Sequence, residues 1–376
     1  MQNPMTGFRV LLLLLNCSFF LLQACSSSDQ EAAPADGQGS ENQGVDSDDN
    51  AGNGVPAGDS TGDTTVEFDS NSLAPGGCQN VVIINEFAYA ACGTGIEVVN
   101  LNSMQRNFIP VPADDITGDD GFGILFTQSG NTLTQLDLAD PLAPDIIATV
   151  NTNFAIFSGI SAANGILVVS GGSGGSDTQV YLYDFNSLSL STSGIAQVDS
   201  ATGNPDVHVT ATANGALAFY SQDIGLVANW GIQIVEFDAD ANILDIPAVV
   251  VLTPGRFTGS FGFPFGPANL PVESEFLNDR LYVAHFAANG LQVIDRLASD
   301  TLSLIPLGYE PSNVATDGTQ LFVVGVDRTI IDTVNPVTET VVDSFSLPLR
   351  QAVGVAANDS HIAVADRSAG LIIVTR

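Results

Sequence analysis

Seven times along this chain an Asn or Asp stands at a turn just before a short apolar run: Asn85, Asp120, Asn164, Asn214, Asn278, Asp317 and Asn358. Successive members are 35, 44, 50, 64, 39 and 41 residues apart. One supersecondary unit repeated at about 40–50 residues is the signature of an array or a propeller built from four-stranded blades. The spacing therefore predicts an all-β fold, a seven-bladed β-propeller.

Each unit reads as short alternating or apolar strands punctuated by turns. In the last unit the strands are AVGVAAN (352–358), HIAVADR (361–367) and LIIVT (371–375), and there the sequence ends. The first unit has four: NVVIIN (80–85), FAYAAC (87–92), IEVVNL (96–101) and RNFIPV (106–111). Only the last blade lacks a fourth strand, and TTVEFDS (64–70) has the composition to supply it. Such an N-terminal strand would complete the last blade and remove an exposed sheet edge. The expected pairing is Thr64 to Ser70 with Leu371 to Thr375.

The turn residues fit this plan. Two-residue hairpins between twisted strands demand positive φ, which Asn, Asp and Gly adopt at low cost. Asp120-Gly121, Asn164-Gly165, Asn214-Gly215 and Asp317-Gly318 are such pairs. A second series, Asn100, Asp137, Asp184, Glu236, Asp295 and Asp332, is expected at the ends of third strands, where short polar side chains bond their own backbone.

The N-terminal sixth, residues 1–63 of 376, is organised differently. Arg9 precedes an apolar stretch, Val10 to Leu22, that is short for a membrane span, and Leu22-Gln23-Ala24-Cys25 follows. This resembles the bacterial lipoprotein signal, which implies a signal peptide over residues 1–24 and a diacylated, palmitate-bearing Cys25. Ser26, where a retention Asp would stand, favours by analogy the outer membrane of the bacterial cell envelope. An ordinary cleaved signal beside an incidental Cys is the alternative. Residues 25–63 are almost bare of apolar side chains. Eleven carboxylates lie between Asp29 and Asp69 without a single base, the composition of a disordered acidic Gly/Ser-rich tether. A coil of about 38 residues spans roughly 35 Å. The propeller is assigned to 64–376.

Forty-two acidic residues face nine basic ones, all Arg, for a formal net charge of −33. Nucleic acid is excluded as a partner, because backbone binding needs clustered positive charge. Self-repulsion also favours a soluble monomer. A single Trp, Trp230, excludes the Trp-per-blade stacking of quinoprotein propellers and the Trp-Asp signature of scaffold propellers.

LYVAHFAANGLQVID (281–295), IAVADRSAGLIIVT (362–375) and AYAACGTGIEVVN (88–100) are similar to one another: a strand, a small loop, then a hydrophobic strand ending in Asp or a neighbouring residue type. They resemble the LVIVD repeat of bacterial surface and secreted propellers. The resemblance covers about residues 64–376, closely in three units, and implies a propeller and a binding role.

Of the four cysteines, Cys17 leaves with the signal and Cys25 takes lipid. Cys78 and Cys92 flank the turn at Asn85-Glu86 within one residue of register, and an exported protein keeps disulfides. A Cys78–Cys92 bridge is expected. Asp238, Asp240, Asn242 and Asp245 put oxygen donors near the turn after the fourth unit's third strand, which suits calcium and equally an ordinary acidic turn. No other cofactor is indicated. The longest interval holds RFTGSFGFPFGPANLP (256–271), where Phe257, Phe261, Phe263 and Phe265 offer either partner anchors or a packed lid. His285 and Asp366 fall in corresponding loops of the fifth and seventh units. Arg328 and Arg367 each follow an Asp in second-to-third-strand loops and are candidate binding residues. Inner strands such as VVIIN, GISAAN, VHVTAT, NVATD and AVGVAA are small and apolar, unlike the ring of carboxylates and His that catalysis needs. The expected function is a membrane-tethered, non-catalytic binding or scaffold module for a protein or glycan partner. The alternative is a calcium-dependent hydrolase or lyase with its site in the central channel.

Overall fold

A computed structural model describes residues 67–74, 76–152, 156–172, 178–185, 190–197, 207–212, 215–223, 230–238, 243–245, 250–251, 272–285, 289–295, 300–325 and 328–376. Residues 1–62 and 63–376 form separate units, and all described strands lie in the second. They number 29 and are all antiparallel to their neighbours.

The first sheet contains β2 (Asn80–Ile84), β3 (Phe87–Ala91), β4 (Ile96–Asn100) and β5 (Arg106–Ile109). The second contains β6 (Asp115–Asp119), β7 (Ile124–Ser129), β8 (Thr132–Asp137) and β9 (Asp145–Asn151). The third is β10 (Ile156–Ala163), β11 (Ile166–Gly172), β12 (Thr178–Asp184) and β13 (Leu190–Gln197). In the fourth, β14 (Val207–Thr212) and β15 (Gly215–Asp223) lead to the long β16 (Trp230–Asp238), against which both β17 (Ile243–Asp245) and β18 (Val250–Val251) pair. The fifth is β19 (Val272–Leu277), β20 (Arg280–His285), β21 (Gly290–Asp295) and β22 (Asp300–Pro306). The sixth is β23 (Pro311–Thr316), β24 (Leu321–Gly325), β25 (Ile330–Asn335) and β26 (Thr340–Ser346). The last has β27 (Ala352–Ala357), β28 (His361–Asp366) and β29 (Gly370–Thr375), with β1 (Glu67–Asp69) as its fourth strand. Part of the expected N-terminal pairing is found, with Glu67 on Thr375, Phe68 on Val374 and Asp69 on Ile373, while residues 64–66 lie outside the described residues and Ser70 follows the strand.

The architecture is all-β and propeller-like. First strands of consecutive sheets touch in the order β2, β6, β10, β14, β19, β23, β27, and β27 also touches β2. Middle strands are sandwiched on both faces, which is why their sequences are continuously apolar rather than alternating. In β3, Tyr89 and Ala91 face the second sheet while Ala88 and Ala90 face the last. In β28, Ile362 and Val364 face the sixth sheet and Ala363 and Ala365 face the first. The period of two along a strand thus sends successive residues into different inter-sheet cores. Ala on both sides of the join between last and first sheets lets these two approach closely.

Turn chemistry divides into two kinds. Asn85-Glu86, Asn164-Gly165 and Asn278-Asp279 are two-residue connections, and Asn85, Asn164 and Asn278 have φ of 54, 52 and 53°. The other described members correct the sequence expectation. Four residues separate β6 from β7 and β23 from β24, and three separate β27 from β28. Side-chain acceptors widen these turns: Asp119 Oδ1 takes Gly121 N, Asp317 Oδ1 takes Thr319 N and Gln320 N, and Asn358 Oδ1 takes Ser360 N and His361 N. Asn214 lies outside the described residues.

The third-strand series needs a similar correction. Asn100, Asp137, Asp184 and Asp295 do end their strands, whereas Glu236 and Asp332 are interior and Asp238 and Asn335 hold the terminal positions. Asn335 Oδ1 accepts from Val337 N and Thr338 N just as Asn100 Oδ1 accepts from Asn102 N and Ser103 N. Asp332 is instead a core residue, 4 % exposed.

Candidate functional site

The polar groups of the first strands form a chain of contacts from sheet to sheet. Each first strand has one backbone edge without a ladder partner, and buried N–H and C=O groups must be paired by other means. Asn80 Nδ2 on β2 donates to Asp115 Oδ1 on β6 at 2.5 Å. Asp115 Oδ2 accepts from Ile160 N on β10 at 3.0 Å, and Thr117 Oγ1 from Ala162 N at 3.1 Å. Ser161 Oγ on β10 accepts from Val209 N on β14. On β23, Ser312 Oγ donates to Ala352 O and Asn313 Nδ2 to Val353 O, both on β27. Between β14 and β19 the contact is ionic: His208 Nε2 lies 3.4 Å from Glu275 Oε1.

These groups include acids that the short apolar strands did not suggest. DITGD of β6 and VESEFL of β19 carry Asp115, Glu273 and Glu275 onto first strands. Burial raises the Asp115 pKa, against the opposing pull of Asn80 and the Ile116 and Ile160 amides. Burial disfavours the charged form of His208, but Glu275, and then Glu273, outweigh it and raise its pKa above the usual 6.5.

A second polar cluster sits where the last sheet meets the first. Glu97 on β4 has a side chain with no exposed surface, and it accepts from Ser72 Oγ at 2.6 Å, Leu73 N at 2.9 Å and Arg106 Nη1 at 2.5 Å. Arg106 on β5 also reaches Asp69 Oδ2 at 3.3 Å and Leu371 O at 3.3 Å. Ser72 Oγ accepts from Leu371 N. Gly370 has φ +84°, and a Cβ there would run into Ser72 Oγ. One Glu–Arg pair therefore fastens β1, the 70–74 segment and β29 to the first sheet.

The Cys78–Cys92 disulfide lies at the same junction. Both cysteines pack with Ala363, Ala365, Leu371 and Ile373, and Cys78 N donates to Asp366 O at 3.0 Å. The carboxylate of Glu97 and the two sulfurs lie within 4.8 Å of one another; sulfurs bonded to each other are not thiolate ligands.

The remaining candidates divide by position. His285 and Asp366 occupy equivalent last positions of β20 and β28, at strand ends rather than in loops. Asp366 is wholly buried and takes four amides: Arg350 N, Gln351 N, Ser368 N and Ala369 N. It stitches the approach to β27 onto the β28–β29 turn. Arg367 follows it on the exposed side, with its N–H on Gln351 O. Arg328 is exposed too, its guanidinium 5.2 Å from the Tyr309 ring centroid. Burial and the negative charge of Asp332 push the Tyr309 phenol up, against the Arg328 cation. Asp332 Oδ1 accepts from Ser344 Oγ. Asp238 and Asp245 end β16 and β17, bracketing the expected turn. Asp240, Asn242, Phe257, Phe261, Phe263, Phe265 and Cys25 lie outside the described residues.

Sequence reasoning missed the Glu97–Arg106 pair, the acids of β6 and β19, and the amide trap at Asp366. The signal for the first was an acid inside an apolar third strand, IEVVN, a place where an unpaired charge is costly. No family model matches the chain, and no curated relative was found.

Proposed function

We propose that this chain is an exported, lipid-anchored, seven-bladed β-propeller, closed into a ring by its N-terminal strand, and that it works as a non-catalytic binding or scaffold module for a protein or glycan partner. The cyclic order of first-strand contacts supports the ring, and the similarity of its units to the LVIVD repeat agrees with it. One observation carries the functional reading: Asn80, Asp115, Thr117, Ser161, Ser312 and Asn313 each spend their hydrogen bonds on a neighbouring strand. Groups so committed hold a ring together and are not free to converge on a substrate. Binding then falls to the loops at the strand ends.

A calcium-dependent hydrolase or lyase is the competing reading, and Glu273 and Glu275 beside His208 are the residues in its favour. Native mass spectrometry of the full-length protein taken from its own membrane separates the two. The binding reading expects acyl chains on Cys25 and a co-purifying protein or glycan. Stoichiometric calcium, with hydrolytic or lyase activity lost on its removal, overturns it.

A further inference from the structure

The described arginines divide by whether a described carboxylate pairs with them. In a protein with 42 acidic and nine basic residues, a guanidinium has an excess of carboxylates to meet. Among the described residues, Arg106 pairs with Asp69 and Glu97, Arg280 with Glu339, and Arg376 with Asp317. Arg328, Arg350 and Arg367 have no carboxylate partner among the described residues, and all three are exposed.

These three share one end of two neighbouring sheets. Arg328 lies between β24 and β25, Arg350 between β26 and β27, and Arg367 between β28 and β29. Ser346 pairs with Ile330, and Ala352 with Asp366, so all three connections emerge at the end where second strands hand over to third. Backbone bonds hold the Arg350 and Arg367 segments together, Arg350 N donating to Asp366 Oδ2 at 2.7 Å and Arg367 N to Gln351 O at 3.0 Å. Asp366 cannot neutralise either, since four amides already occupy its oxygens. Asp332 is buried on Ser344. Glu310, before β23, Asp343 on β26 and Asp359, before β28, are exposed acids of these two sheets that pair with none of the three, and Asp327, next to Arg328, lies outside the described residues.

We propose that Arg328, Arg350 and Arg367 form a docking surface for an acidic polysaccharide, whose carboxylate or sulfate groups take the three guanidinium forks. The inference rests on the binding-module reading and names the partner class for it. Planar guanidinium donors fit oxyanions in two-point contacts. The exposed neighbours on these loops are Thr329, Pro348, Gln351 and Ser368, while Leu347 and Leu349 are buried. A protein interface needs an apolar or aromatic centre, which these neighbours do not provide; hydroxyls and an amide around spaced cations suit a charged glycan. The net charge of the chain does not forbid this, because beyond about 8 Å at physiological ionic strength the other acids are screened.

The test is calorimetric titration of the full-length protein with oligogalacturonate, with dextran sulfate, and with neutral dextran and poly-glutamate as comparisons. Binding to either acidic glycan, and not to dextran, is expected, with the two arms reporting whether carboxylate or sulfate is preferred. Arg328→Ala, Arg350→Ala and Arg367→Ala should each weaken it about tenfold, and added salt should weaken it further. Arg280→Ala, which removes a paired base, should not. Thermal melts of the variants verify that the fold is kept. Absence of binding to both glycans, binding to poly-glutamate alone, or unchanged affinity in the triple variant overturns the proposal. A partner retained by the triple variant in native mass spectrometry would overturn this surface while leaving the binding-module reading intact.

Discussion

Arg106 Nη1 lies 2.5 Å from Glu97 Oε1, and the two side chains are 7 % and 0 % exposed. Around this pair the last strand to join the final sheet meets the first sheet. Removing one member leaves the other charged and buried, which costs about 3–5 kcal/mol. Glu97→Gln should therefore destabilise the protein strongly, and amide exchange should speed up over 67–74 and 371–375 before the rest. A uniform loss of protection would show that the pair does not fasten β1. The double substitution Glu97→Leu with Arg106→Met should recover only part of the stability, since it removes the buried pair but leaves Asp69, Ser72 Oγ and Leu73 N without the partners they had.

The disulfide closes a loop between residues separated by 14 positions. By chain entropy it contributes about 3 kcal/mol. Cys78→Ala with Cys92→Ala should lower the denaturant midpoint accordingly, and any change in slope should be an increase, because the unfolded chain freed of the bridge exposes more surface. Titration of the unfolded wild-type protein, unreduced and after removal of the signal, should find neither Cys78 nor Cys92 as a free thiol.

Asp366→Ala leaves four amides without their acceptor. These bonds are part-buried and Arg350, Gln351 and Ser368 are exposed, so water takes over some of them and each loss costs about 0.5–1.5 kcal/mol; the four together should match an ordinary core truncation. Asp366→Asn keeps one acceptor oxygen and should fall between. Equal melting temperatures for the two variants would contradict the amide-trap account.

Asp317 and His208 contribute to the pH response with opposite signs. Burial opposes ionisation of Asp317, but bonds from Gln320 N, Thr319 and Arg376 outweigh it and hold its folded pKa below 3.8. Its contribution is present above the unfolded value and lost as pH falls through the folded one. His208 is raised above 6.5 by Glu275 despite burial, so its contribution is complete below 6.5 and lost as pH rises through the folded value. Asp317→Asn should flatten the acid limb of a stability profile, and His208→Gln the limb above 6.5. An imidazole NMR titration centred below 6.5 would refute the second assignment.

What was legible in the sequence was local or repeated. Asn85, Asn164 and Asn278 announced hairpins because positive φ is a property of the residue itself. The strand Glu67–Asp69 was legible because a repeat counted in fours left one vacancy. Cys78 and Cys92 were legible because a single turn joins them. Glu97, Ser72 and Leu371 are scattered along the sequence, and no local pattern says that they meet. Asp332 and Asn335 show a subtler limit: both suit the end of a strand, and only the register of β25 on β24 and β26 decides which one turns the chain. Arg350 was invisible as a candidate because its distinction is that no carboxylate among the described residues pairs with it, which only the folded surrounds reveal.

The central claim is that the chain closes on itself, with β1 on β29 and β27 against β2, and so presents its loops as a binding face. A crystal structure of the full-length protein tests this most directly. The account predicts electron density for a seven-sheet ring, with Phe68 opposite Val374 and Gly354 packed on Asn80 at the join. An open arc with a solvent gap between β27 and β2, or a ring with a different number of sheets, would contradict it.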